Sequence, residues 1–179
     1  MSQKKTVLLS AFRHVIPADY EQWFENLAAQ GWHPQHIGQW SSIAMRFTKG
    51  KPERYRYVVD LQAAPRRDYK PTYEEFGWEF VGQMASAYVW RKKYADKRPE
   101  SFTDQEQLKE RNKRFIWAIS FSFTIFLLIT LVLAVLLLVN LKHMNLSDDM
   151  QFAAGLLLSG GASIYLGLTM RKIKKSMED

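Results

Sequence analysis

Histidines, grouped carboxylates and tryptophans are the residues of this chain with chemistry to offer. His33 and His36 stand three apart, a spacing that would put two imidazoles on one side of a helix. Pro34 lies between them and disfavours that helix, and the chain has no cysteine to complete a zinc set. Glu74, Glu75 and Glu79 fall on a short predicted helix and its exit. A solvated face accounts for them better than acid–base work. There is no glycine-rich phosphate loop and no Gly-x-Ser-x-Gly turn. The reading from these residues is a protein that is not an enzyme, with no catalytic residues, no cofactor and no metal site.

The aromatic rings carry more. Trp23, Trp32, Trp40, Trp78 and Trp90 all precede residue 94. Large rings supply much of the burial in a small domain, so a packed core is one reading. The same rings make good walls for an apolar or cationic guest. The other reading is therefore a cleft with Trp32, Trp40, Trp78 and Trp90 as ligand-binding residues. In that reading Trp32 and Trp78 hold equivalent places.

The elements that would position these rings form two similar series. Thr6 to Phe12 is apolar enough for a strand. Pro17 and Asp19 open a helical pattern in which Tyr20, Trp23, Phe24 and Leu27 recur on one face. Gly31-Trp32 marks its stop, with glycine taking the left-handed backbone and the ring packing back. Ile37 to Trp40 and Ile43 to Thr48 read as a hairpin around Ser41-Ser42. Lys49-Gly50-Lys51-Pro52 is a turn. The series then restarts. Tyr55, Tyr57, Val59 and Leu61 alternate with Arg56, Val58 and Asp60, a strand with one buried face. A shorter helix through Tyr69, Tyr73 and Phe76 ends at Gly77-Trp78, and a second hairpin turns around Ala85-Ser86-Ala87. The pattern predicts tandem β-α-β-β repeats at about 5–48 and 54–93, sharing one core within an α+β domain of residues 1–93.

Residues 94–114 read as a linker and juxtamembrane helix. Thr103 and Glu106 have capping-box spacing, and a helix begun there could run unbroken through Arg114. From Phe115 to Leu141 no residue is charged, and the same holds from Met150 to Met170. About twenty apolar residues suffice to cross a bilayer, so both segments read as spans. They are transmembrane helix 1 at 115–141 and helix 2 at 150–170. A short loop at 142–149 joins them, and a basic tail follows at 171–179.

Lys113 and Arg114 flank the first span, and Arg171 and Lys172 the second. The positive-inside rule then sets both termini and the α+β domain in the cytoplasm, with the loop outside. The run after Lys5 is too short for a signal peptide. The net charge of +7 is met by these flanks and by anionic lipid, not by nucleic acid. Gly155, Ser159, Ser163 and Gly167, each four apart, put small residues on one face of the second span, where another helix can approach closely. Packing within a two-helix transmembrane hairpin is one use of that face. A homo-oligomer or a transporter or regulator partner is another.

At this point Phe76-Gly77-Trp78-Glu79-Phe80-Val81-Gly82, followed by Tyr88-Val89-Trp90-Arg91-Lys92, resembles a bacterial family of membrane proteins. It is the domain of unknown function 2812, whose members are often encoded beside PadR-type repressors. The basic turn before Tyr55-Arg56-Tyr57 and the first Gly-Trp pair fit as well. The resemblance covers roughly residues 8–95. It implies no activity, and by gene neighbourhood it implies a membrane-stress response. The sequence points to a membrane-anchored sensor or adaptor in the bacterial cell membrane, binding a small ligand, a peptide or a protein. The alternative is an accessory or immunity-type protein that works through its hairpin.

Overall fold

The computed structural model describes residues 3–100, 105–140 and 146–178. The expected cap at Thr103 and the first part of the expected loop, to residue 145, lie outside them. The chain divides into two compact units, Met1–Arg111 and Asn112–Asp179.

The first unit is α+β, with two three-stranded antiparallel sheets. It runs β1 (Lys4–Leu8), α1 (Ser10–Arg13), α2 (Pro17–Ala29), β2 (Trp32–Pro34), β3 (Ala44–Lys49), β4 (Tyr55–Leu61), α3 (Tyr69–Glu75), β5 (Glu79–Met84) and β6 (Ala87–Lys93). Strand order is β1-β3-β2 in one sheet and β4-β6-β5 in the other, so each places its third strand in the middle. Both longer helices stop at glycines with left-handed backbone, Gly31 at φ 80° and Gly77 at φ 74°. After α3, the Gly77 N–H bonds the Glu74 carbonyl and the Trp78 N–H reaches the Tyr73 carbonyl, which closes the last turn.

Three expectations are corrected. The first strand ends at Leu8, because Leu9 adopts the left-handed region at φ 55° and the chain turns into α1. The first hairpin is not at Ile37–Trp40. Residues Gln39–Ser42 form a short 3-10 turn, held by the Gly38 N–H donating to Ser41 Oγ at 3.0 Å. The strand that pairs with β3 comes earlier, at Trp32–Pro34. Finally, β4 is buried on both faces, not one. Tyr57 stacks on Phe24 of α2, while Val58 joins Trp78, Tyr88 and Trp90 beneath Tyr69 and Tyr73 of α3.

Backbone joins the two sheets beside Gly82. Ile37 makes an isolated parallel bridge to Gly82, and the Gln83 N–H donates to the Ile37 carbonyl at 3.1 Å. Gly82 sits at φ 151°, and a Cβ there would lie 2.0 Å from that carbonyl oxygen. Only glycine allows this approach.

The second unit holds most of α4 (Gln105–Asn140) and all of α5 (Leu146–Glu178). As expected, α4 runs through Arg114 without a break. Both helices are long and apolar enough to cross a membrane, over Lys109–Val139 and Met150–Lys175, consistent with a two-pass membrane protein. Ser120 Oγ lies 3.1 Å from Met170 Sδ. Gly167 lies beside Phe123, and Gly155 beside Leu133. Partners rise along α4 as they fall along α5, so the helices pack antiparallel.

Candidate functional site

The four candidate tryptophans do not share one surface. Trp90 is fully buried and Trp78 nearly so, in one cluster with Val58 and Tyr88. Tyr73 stacks on Trp90 with ring centroids 4.5 Å apart. The Trp90 indole N–H donates to Tyr69 Oη at 3.1 Å, and Tyr69 in turn donates to Asp60 at 3.0 Å. Burial, then the Asp60 charge, raises the Tyr69 hydroxyl well above its ordinary value. A ring enclosed like Trp90 cannot wall an open cleft. Trp78 and Trp90 turn their faces to the core. Burial also pushes the Tyr20 and Tyr57 hydroxyls up to about 12.

Trp32 lies on the first sheet, with the Lys49 ammonium 4.8 Å and the Lys5 ammonium 5.7 Å from its ring centre. The ring thus already has two cations of the chain itself as neighbours. Trp40 differs from the other three: it is 75% exposed. It borders an open pocket of about 490 Å³ together with Gln35, His36, Gln39, Ser41 and Arg46. Leu8, Leu9 and Ile43 are exposed as well. They are close in structure, since the Leu9 N–H bonds the Ile43 carbonyl, the Ile43 N–H bonds the Trp40 carbonyl and Leu8 pairs with Ala44. One end of the first sheet thus shows an indole and three aliphatic side chains next to a guanidinium and an imidazole. His33, the other member of the expected pair, bonds the Lys51 carbonyl at 2.8 Å.

A second constellation escaped the sequence reading. Glu21 and Glu25, one turn apart on α2, both face β4. The Val59 N–H donates to Glu21 at 3.0 Å and the Tyr57 N–H to Glu25 at 3.3 Å. These N–H groups point off the open side of an edge strand, so α2 closes that edge with carboxylates. Guanidinium groups complete the cluster. Arg56 donates to Glu21 at 3.1 Å and to Glu25 at 2.8 Å. Arg111, from the start of α4, reaches Glu21 at 2.6 Å, with both side chains almost fully buried. Arg98 makes a two-pronged contact with Glu25 at 2.9 and 3.1 Å. The only sequence signal was a pair of glutamates four apart beside the apolar stripe of α2.

On α5, Ser159 and Ser163 are buried and their hydroxyls bond back to the carbonyls of Gly155 and Ser159. A Cβ at Gly155 would come within 3.1 Å of Leu133 Cδ1, and one at Gly167 within 3.6 Å of Phe123. The small residues therefore line the packed side of the pair. Lys113, Arg114, Arg171 and Lys172 are exposed at the ends of the apolar stretches.

No curated protein and no solved structure matches the chain. The family described as "Protein of unknown function (DUF2812)" matches residues 17–127. That stretch begins later than the resembling region and continues through the linker into α4, so Glu21, Arg56, Arg98 and Arg111 all fall within it. On a match over most of its length, the chain belongs to the DUF2812 family.

Proposed function

We propose that this is a membrane-anchored adaptor whose α+β unit presents the Trp40 end of its first sheet to a protein or peptide partner. The exposure of Trp40 carries the reading. The rings of Trp78 and Trp90 are used in the core, whereas Trp40 stands in solvent among Leu8, Leu9 and Ile43 with Arg46 alongside. Tryptophan and arginine beside apolar side chains is the composition of an interface hot spot. A partner closing over this end would desolvate that indole. The exposed apolar side chains around the pocket extend the surface beyond what a small ligand would cover.

The basic flanks Lys113, Arg114, Arg171 and Lys172 support a cytoplasmic placement of this unit. The shared strand order of the two sheets supports reading them as tandem copies of one β-α-β-β motif. A transporter or regulator in the same membrane is the partner class that such an anchor would bring within reach. The second reading, action through the helical pair, draws on Trp117 and Phe121. These rings stack at 6.1 Å on an exposed side of α4, where they can meet lipid or another helix.

Capture of partners by the full chain in mild detergent, compared with Trp40→Ala, tests the proposal. The variant should keep the same melting temperature and lose a protein that the parent retains. Equal capture by both would refute the role given to Trp40. Loss of capture on exchanging the spans for unrelated apolar helices would favour the second reading.

A further inference from the structure

Of the strand edges in the α+β unit, β4 is closed by Glu21 and Glu25, and Ile37 bridges to β5 at Gly82. The outer edge of β1 is different. Among the described residues, no strand pairs with it on that side. Lys4, Lys5, Thr6 and Leu8 are all exposed. The register says which backbone groups face out. The Gln3 carbonyl accepts from the Lys49 N–H, and the Leu9 N–H donates to the Ile43 carbonyl. Odd-numbered residues thus bond β3, and Lys4, Thr6 and Leu8 direct their N–H and carbonyl groups away from the sheet.

The charges beside this edge have one sign. Lys4 and Arg46 project on one face, and Lys5 and Lys49 on the other, where both ammonium groups lie near the Trp32 ring. The far end of β1 is apolar, at Leu8 and Leu9. Edge lysines discourage addition of another basic strand. A second copy paired antiparallel about Thr6 would set Lys4 against Leu8 and bring two basic edges together. An acidic strand meets the opposite situation, with a cation on each face and open hydrogen-bonding groups between.

We propose that the β1 edge receives an extended peptide segment as a fourth strand, with acidic residues beside Lys4 and Lys5 and apolar ones beside Leu8. Main-chain bonds to Lys4, Thr6 and Leu8 hold the segment, and the lysines select its charge. This deepens the adaptor reading and rests on it, since it names the chemistry of the partner adjoining the Trp40 surface.

The test uses the full chain in detergent micelles and a fluorescent heptapeptide, Thr-Glu-Glu-Val-Thr-Leu-Val, whose adjacent glutamates fall on opposite faces as Lys4 and Lys5 do, followed by anisotropy. Saturable binding that weakens with salt is the expected result. Two changes should each reduce affinity about tenfold or more: lysine in place of both peptide glutamates, and N-methylation of alternate peptide amides. Thr6→Pro removes only an outward N–H, so it should weaken binding while leaving the melting temperature unchanged. Lys4→Glu with Lys5→Glu should do the same and also serves if the proline variant fails to fold. Absence of binding overturns the proposal, as does equal binding of the N-methylated peptide. A dimer that Thr6→Pro dissociates would assign the edge to a second copy and also overturn it. Trp40-dependent capture that persists in those cases leaves the adaptor reading standing.

Discussion

Glu21 is a single carboxylate facing two guanidinium groups and a backbone N–H in a buried setting. Taking two charges out of water is costly, so such a cluster gives little net stability against an apolar replacement. Removing one member is another matter, because it leaves a buried charge uncompensated. Arg111→Ala should lower the stability of the α+β unit by about 3 kcal/mol. Arg98→Ala removes a half-exposed partner of Glu25 and should cost less than about 1 kcal/mol. Denaturant unfolding in micelles, followed by tryptophan fluorescence, separates the two. Equal losses would mean that Arg111 is not the buried partner described. Residue type and spacing carried no sign of this difference. Arg56 and Asp60 alternated with apolar residues and so looked like a solvated face. Their charges are instead met by Glu21 and Glu25 for Arg56, and by Tyr69 and Gln62 for Asp60. Only Tyr69 and Gln62 lie close in sequence.

Among the elements, those set by local backbone rules were readable in advance. Gly31 and Gly77 end their helices because glycine takes positive φ without strain, and a glycine before a tryptophan advertises that in the sequence. The stretch from Gly38 to Ser42 was misread because a serine hydroxyl captured a nearby N–H and tightened a turn that apolar content alone would have extended. Leu9 ends β1 with a left-handed backbone that its residue type does not announce. Gly82 stands in the sequence only as the last residue of the Phe76–Gly82 motif, while its structural role is to admit the Ile37 carbonyl. Gly82→Ala should therefore destabilise the unit by more than about 3 kcal/mol, since both its φ and the 2.0 Å approach are incompatible with a side chain. Gly161→Ala on α5 meets nothing within 4 Å and should be neutral or stabilising by up to about 1 kcal/mol. Thermal melts of the two variants check the contrast, and a mild Gly82→Ala would remove the close approach between the sheets.

For the whole molecule, the apolar helices were the clearest reading, because bilayer thickness sets a length that few other constraints imitate. The functional surface was the least clear. Composition counts tryptophans without saying which are enclosed, and Trp40 separates from Trp90 only when the strands are placed. Topology can be checked directly. A cysteine replacing Ser147 should react with an impermeant thiol reagent in intact cells, and one replacing Ser2 should not. The reverse pattern would put the α+β unit outside.

The contact between Arg111 and Glu21 also bears on how the chain is made. The α+β unit does not end where its last strand ends, at Lys93. Its buried charges balance only when the opening turns of α4 are in place. Domains generally fold as units while synthesis proceeds from the N-terminus. This one stays short of a cation until Arg111 has been added, and the residues synthesised next are those of the first apolar helix. Completion of the charge cluster and synthesis of the first apolar helix then follow one another directly in translation. A nascent chain halted before Arg111 holds Glu21 with Arg56 alone, without its second guanidinium.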